Sequence, residues 1–165
     1  TLAQKISTNV NIKKHFTHSL IVVVSQNFEL KEIVKDMLTK LGIKEDSFMR
    51  DDHGLLEQLH DLLKGKYLII LDDIWTTNEG HPSWWERLKS AFPQRNEGSC
   101  VIITTRNVEV ARSMGAVENR IHHHGLLSEK DSWSLFSKLA FAREGGQCPS
   151  SELRQIGKKI VSQCG

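Results

Sequence analysis

The decapeptide KYLIILDDIW, residues 66–75, limits the possible folds more than any other stretch of the chain. Residues 67–71 form an unbroken apolar and aromatic run, and two carboxylates, Asp72 and Asp73, follow at once. A strand with one wet face alternates. This one does not, so it reads as a strand buried on both faces of a parallel sheet. An isolated charge in such an interior costs several kcal/mol or more, so the acids mark the point where the strand emerges. In open α/β sheets, ligands bind in the crevice outside the strands' carboxyl ends. The plainer alternative is that one of the two acids caps a following helix.

The flanking sequence supports a parallel sheet. Residues 20–24 and 100–103 are two further buried, β-rich runs. Between the first and second runs, Leu30, Ile33, Val34, Met37, Leu38 and Leu41 recur at helical spacing, with Gly42 as a stop. Leu55, Leu56, Leu59, Leu62 and Leu63 give another helix ahead of Gly65. A polar loop, TTNEGHPS, follows Trp75, and Trp84, Trp85, Leu88 and Phe92 predict a short helix ending before Pro93. Val108, Val110, Ala111 and Met114 predict another, and Ile121 a weak last strand. Leu2, Ala3, Ile6 and Val10 predict a single opening helix. Strands separated by helices, with room for crossovers, make an α/β fold. From Leu127 the pattern is all-helical. Ser128 and Asp131 have capping-box spacing, and Trp133, Phe136, Leu139 and Ala140 form an apolar stripe behind them. The division expected is residues 1–126, α/β, and residues 127–165, helical.

Several function classes fall away. The net charge of +2 in 165 residues is too small to imply a nucleic-acid surface. No apolar run approaches the roughly 20 residues of a membrane span. The opening residues lack the pattern of a secretory signal. Three cysteines without metal-like spacing fit a reducing, cytoplasmic setting. His122, His123 and His124 are adjacent and do not share a face, so they read as a polar strand end and not as zinc ligands. Trp84 and Trp85 read as packing residues and not as a base-stacking platform. Both ends look like cuts through a longer protein.

A strand ending in acids suggests Mg²⁺ and phosphate, because Mg²⁺ takes one or two carboxylates, several waters and substrate phosphates. Thr104, Thr105 and Arg106 end the next buried run and would lie at the same sheet edge, where an arginine can meet a phosphate bidentately. A surface arginine opening a helix is the plainer reading of Arg106. The phosphate loop G-x-x-x-x-G-K-[ST] is absent from these residues: Gly65-Lys66 is followed by Tyr67, and Gly157-Lys158 by Lys159.

Taken together, these pieces resemble the nucleotide-binding (NB-ARC) domain of plant disease-resistance proteins of the nucleotide-binding, leucine-rich-repeat class. Thr1-Leu2-Ala3 resembles the tail of GKTTLA. Phe16 with Val24-Ser25-Gln26 and Phe28 resembles F-D-x-x-x-W-V-x-V-S-Q-x-F, although Thr17 and Ile21 replace the usual Asp and Trp. Residues 68–75 resemble the Walker B or kinase-2 motif, and Gly98-Ser99 through Thr104-Thr105-Arg106 resemble G-S-x-I-x-x-T-T-R. Leu127-Ser128, Ser132-Trp133, Leu135-Phe136 and Ala140-Phe141 resemble the first helical-subdomain motif. Cys164-Gly165 resembles the start of C-G-G-L-P-L-A.

The resemblance implies a P-loop NTPase-like parallel sheet of order 5-1-4-3-2, with its first strand missing here, followed by a small all-helical subdomain. By position, Asp72 resembles the acid that holds Mg²⁺, and Asp73 the acid that polarises the attacking water. Arg106 resembles the arginine that senses the terminal phosphate, and Thr1 a threonine near the nucleotide phosphates. Trp75 is similar to the tryptophan typical of the coiled-coil-bearing branch, with simple packing as its other reading. The implied function is an ADP/ATP switch of an intracellular immune receptor that acts with other domains of its own chain, self-associates on activation and hydrolyses ATP slowly if at all. A catalytic P-loop ATPase subunit and a non-binding or pseudogene fragment are the alternatives. Without the first strand, its two neighbours would stand about 10 Å apart, twice the strand spacing. These residues alone should therefore unfold at lower denaturant than a chain extended upstream, and equal midpoints would refute that expectation.

Overall fold

The computed structural model describes residues 1–75, 83–93 and 97–164. The polar loop after Trp75, apart from Ser83, lies outside the described residues, as does Gly165. The chain divides into two compact units, Thr1–Ile121 and His122–Gly165.

The first unit is built on three parallel strands in the order β1-β2-β3: β1 His18–Val23, β2 Tyr67–Ile74 and β3 Cys100–Thr105. The apolar decapeptide thus becomes the central strand, with both edges hydrogen-bonded and both faces covered. One face carries Leu20, Val22, Tyr67, Ile69, Leu71 and Ile74 into the larger core. There it meets α3 (Leu30–Lys40), α4 (Asp52–Leu62), α5 (Ser83–Ser90) and α6 (Val108–Ser113). The other face places Leu68 and Ile70 against Ala3, with Ile6, Ile12, Phe16, Ile21 and Ile102 around them. Period-two alternation sorts one continuous run into two cores, which is why the run shows no alternation of its own. The sheet is the α/β, P-loop NTPase-like arrangement expected from the sequence.

Three local expectations are overturned. The opening apolar residues form two helices, α1 Leu2–Thr8 and α2 Val10–His15. Asn9 breaks them apart: it is extended at φ −67° and ψ 122°, and its side-chain oxygen accepts from the N–H groups of Asn11 and Ile12. That local hydrogen bonding competes with helix continuation. Ile121 does not form a strand. It is extended, but its N–H bonds back to the Glu118 carbonyl at the end of a short 3₁₀ turn, so the group that would enter a ladder is already used. The three histidines are therefore not a strand end either.

Trp84 and Trp85 pack, as their spacing predicts. Trp85 is buried, and its indole N–H donates to the Met114 carbonyl at 2.8 Å, while Trp84 meets Phe28 edge-on. Gly65 supplies a turn into β2 that other residues resist: φ is +87°, and a Cβ there would stand 2.6 Å from the Thr17 hydroxyl.

The second unit pairs α7 (Glu129–Ala140) with α8 (Ser151–Gln163). Ser128 caps α7, accepting from the Asp131 N–H at 3.1 Å while its hydroxyl meets the Asp131 carboxylate at 2.6 Å. At their contact, Gly157 lies beneath the stacked rings of Trp133 and Phe136. A Cβ on Gly157 would come within 2.7 Å of Phe136 and 2.9 Å of Trp133. Alanine would gain about 1 kcal/mol in helix propensity, whereas forcing bulk into a packed contact costs about 1–3 kcal/mol. The branched substitution Gly157→Val keeps the cost and forfeits most of that gain. It should loosen the α7–α8 pair, read as faster limited proteolysis between residues 122 and 164. Unchanged protection would show that the helices do not depend on this contact.

Candidate functional site

The candidate site forms where β2 and β3 end. Up to Leu71, which pairs with Ile103, the two strands run in regular register. The next pairing is Ile74 with Thr105. Asp72 and Asp73 together therefore span Thr104 alone, and β2 carries a one-residue bulge at the paired acids. Asp73 is the only described non-glycine residue with a positive φ, at 61°.

The bulge has a clear physical cause. In unbroken alternation, Asp73 would follow Leu71 onto the larger core's face and Ile74 would turn away from it. The extra residue resets the alternation, so Ile74 is buried in that core and Asp73 is left partly exposed. A left-handed conformation costs a non-glycine residue roughly 1–2 kcal/mol, and less for aspartate. Burying an isoleucine side chain returns about 1.5–3 kcal/mol. The balance favours the bulge, and aspartate at its turning point keeps the cost low.

Thr104 locks the arrangement. The Asp73 backbone N–H can only donate, and it donates to Thr104 Oγ1 at 2.8 Å. The hydroxyl proton is thereby directed elsewhere, and it meets Asp72 Oδ1 at 2.5 Å. One hydroxyl accepts from the bulge backbone and donates to the first carboxylate. On the other side, the Asp72 carbonyl accepts from the Val24 N–H at 2.9 Å. Asp72 is thus held through both its backbone and one carboxylate oxygen.

Arg106 reaches the same edge from the end of β3. Its Nε stands 3.9 Å from Asp73 Oδ1, and its Cζ lies over the Trp75 ring, 5.1 Å from the centroid. The arginine side chain is 79% exposed, so the ion pair contributes only about 0–1 kcal/mol, and the ring contact about 0.5–1 kcal/mol. Asn107, not Arg106, caps α6, by accepting from the Glu109 N–H.

Asp72, Asp73 and Arg106 therefore lie together, the two acids linked through Thr104 and Arg106 facing the Asp73 carboxylate. Thr1 is not joined to them by any hydrogen bond or ion pair among the described residues. Its hydroxyl accepts from the Gln4 N–H and caps α1. Two contributors lay outside the sequence reading. Thr104 was legible only as part of a polar tail, and Trp75 only as a branch-typical or packing residue. Their roles follow from the bulged register, which no spacing rule discloses.

Among the described residues, no group of three or more His, Cys, Asp and Glu side chains is placed to hold a metal. The cluster offers carboxylate oxygens from two residues, one of them facing an arginine. That is a poor set for zinc, which takes three or four protein ligands of mainly nitrogen and sulfur. It does fit Mg²⁺, which draws its remaining ligands from water and phosphate. No described helix is long and apolar enough to cross a membrane.

Comparison with known proteins gives a consistent result. The model of the NB-ARC domain matches residues 1–146. Among similar proteins of Arabidopsis thaliana, "Disease resistance RPP13-like protein 4" is 39% identical over 99% of this chain and 19% of its own length. "Disease resistance protein RPP13" is 33% identical over 99% of the chain and 19% of its own length, and "Disease resistance protein RPM1" 29% identical over 99% and 18%. The chain thus spans about a fifth of the length of these curated relatives.

Because one hydroxyl serves both partners at the bulge, Thr104→Val, which keeps the shape, leaves the Asp73 N–H and the Asp72 carboxylate oxygen without it. The expected cost is about 1–3 kcal/mol, measured by denaturant unfolding. Thr104→Ser keeps the hydroxyl and should lose less than about 1 kcal/mol. Equal stability of the valine variant and the parent would remove the threonine from this role.

Proposed function

The chain belongs to the NB-ARC family, and on that premise we propose that it is part of the ADP/ATP-binding switch of a plant immune receptor. The observation that carries this reading is the convergence of Asp72, Asp73 and Arg106 on one sheet edge, the two acids linked through the Thr104 hydroxyl and the arginine facing the Asp73 carboxylate. Similarity to plant disease-resistance proteins over nearly the whole chain supports the biological setting.

In this proposal Asp72 holds Mg²⁺, directly or through water. The ion, when bound, neutralises phosphate charge. Thr104 takes one of the Asp72 oxygens and so fixes the rotation of the carboxylate presented to the ion. Asp73, partly exposed at the bulge, is the group that orients a water near the terminal phosphate. Arg106 is the charge that distinguishes a triphosphate from a diphosphate. Thr1 contributes near the phosphates. The cluster works in a cytoplasmic receptor whose other domains, and further copies of itself, read the nucleotide state.

Magnitudes limit how the switch can operate. A nucleotide shifts a two-state equilibrium only by its differential affinity for the two states. Moving a population from 1:99 to 99:1 takes about 10⁴-fold discrimination. One charge-assisted contact contributes about 1.5–3 kcal/mol, or roughly 10–100-fold. Arg106 alone therefore cannot throw the switch. The remainder must come from contacts that other parts of the receptor make differently in the two states.

The test uses the full-length receptor. Asp72→Ala should weaken Mg²⁺-dependent nucleotide binding about 10–100-fold, the loss of one such contact. Unchanged nucleotide content and turnover would remove Asp72 from the site. Retention of ADP through purification supports the switch, while rapid steady turnover favours a catalytic ATPase.

A further inference from the structure

The Arg106 guanidinium does not extend alone into solvent. Its position is decided by the same bulge that presents the acids. In regular register, Leu71 opposite Ile103 would put Ile74 opposite Arg106. The observed pairing of Ile74 with Thr105 makes Trp75 and Arg106 the next residues across the two strands. Arg106 Cζ then lies over the Trp75 ring at 5.1 Å from its centroid, and Nε stands 3.9 Å from Asp73 Oδ1.

The two contacts differ in what they do to the arginine. At 3.9 Å the carboxylate is beyond hydrogen-bonding distance, so it attracts the charge without fixing its direction. An aromatic face does fix direction. It attracts the cation over its face without taking up the N–H groups, which stay available to an oxyanion. It also brings no formal charge, so it does not compete with a phosphate as a second carboxylate would. Trp75 is itself partly exposed at 36%, so it is not simply a core residue.

We infer that Trp75 is a positioning residue for Arg106, holding the guanidinium by its ring so that the arginine meets a nucleoside triphosphate in a ready orientation. The inference rests on the proposed role of Arg106 in sensing the terminal phosphate. Its signature is selective. Loss of the ring impairs triphosphate binding and spares diphosphate binding, whereas a merely structural tryptophan would affect both.

The experiment measures, on the full-length protein with Mg²⁺, the affinities of ADP and of the non-hydrolysable β,γ-imido analogue of ATP. Trp75→Ala should weaken the analogue about two- to five-fold relative to ADP, the range of an exposed cation–ring contact. Trp75→Phe, which keeps a ring, should recover most of that loss. Adding W75A to R106A should cost the analogue nothing more, because the ring acts only through the arginine. Equal loss for both nucleotides, no loss for either, or full additivity in the double variant would each overturn the inference and leave the switch proposal standing. If Arg106→Ala alone fails to lower the preference for the analogue, the sensing role itself fails, and the inference falls with it.

Discussion

One threonine hydroxyl, shared between a backbone N–H and a carboxylate, holds the edge of this sheet together. The Asp73 N–H turns out of the ladder because the chain reverses its alternation there, and Thr104 is what it meets. The same hydroxyl donates a hydrogen bond to Asp72. A buried or half-buried donor without a partner costs about 1–3 kcal/mol, so the bulge and the threonine are mutually dependent. The placement of Asp72, the exposure of Asp73 and the meeting of Trp75 with Arg106 all follow from that dependence.

The contacts around this edge are graded in strength. β2 is paired on both sides and buried on both faces, so its end is a firm base. Asp72 is tied by its carbonyl to Val24, just past β1, and by a carboxylate oxygen to β3. Arg106, by contrast, is mostly exposed and touches a carboxylate and a ring at modest range. Each of those contacts contributes about 1 kcal/mol or less. In the proposed switch a phosphate, with more charge and a geometry suited to guanidinium, would outcompete both. On the proposed reading, Arg106 is oriented before a ligand arrives and released to it afterwards.

Where sequence reading went astray, local hydrogen bonding was the reason. Leu2, Ala3, Ile6 and Val10 keep helical spacing, yet Asn9 caps a second helix with its side chain and breaks the first. Ile121 has extended dihedrals, but its N–H is taken by Glu118, so no strand follows. Apolar periodicity reports which face is buried. It is silent on the polar atoms that decide where an element stops.

The sequence alone determined the sheet's central strand, its parallel neighbours, the helices between them and the family. An apolar run without alternation has few places to go, and the motif residues stand in order along the chain. It also placed Asp72, Asp73 and Arg106 at strand ends, because charges do not stay in such an interior. Tertiary structure decided how those groups meet. Register between two strands is a property of the pair, and a single extra residue in β2 moved Ile74 into the core, gave Thr104 two partners and set Trp75 against Arg106. No spacing along one strand encodes that shift, since it exists only once the second strand is beside it.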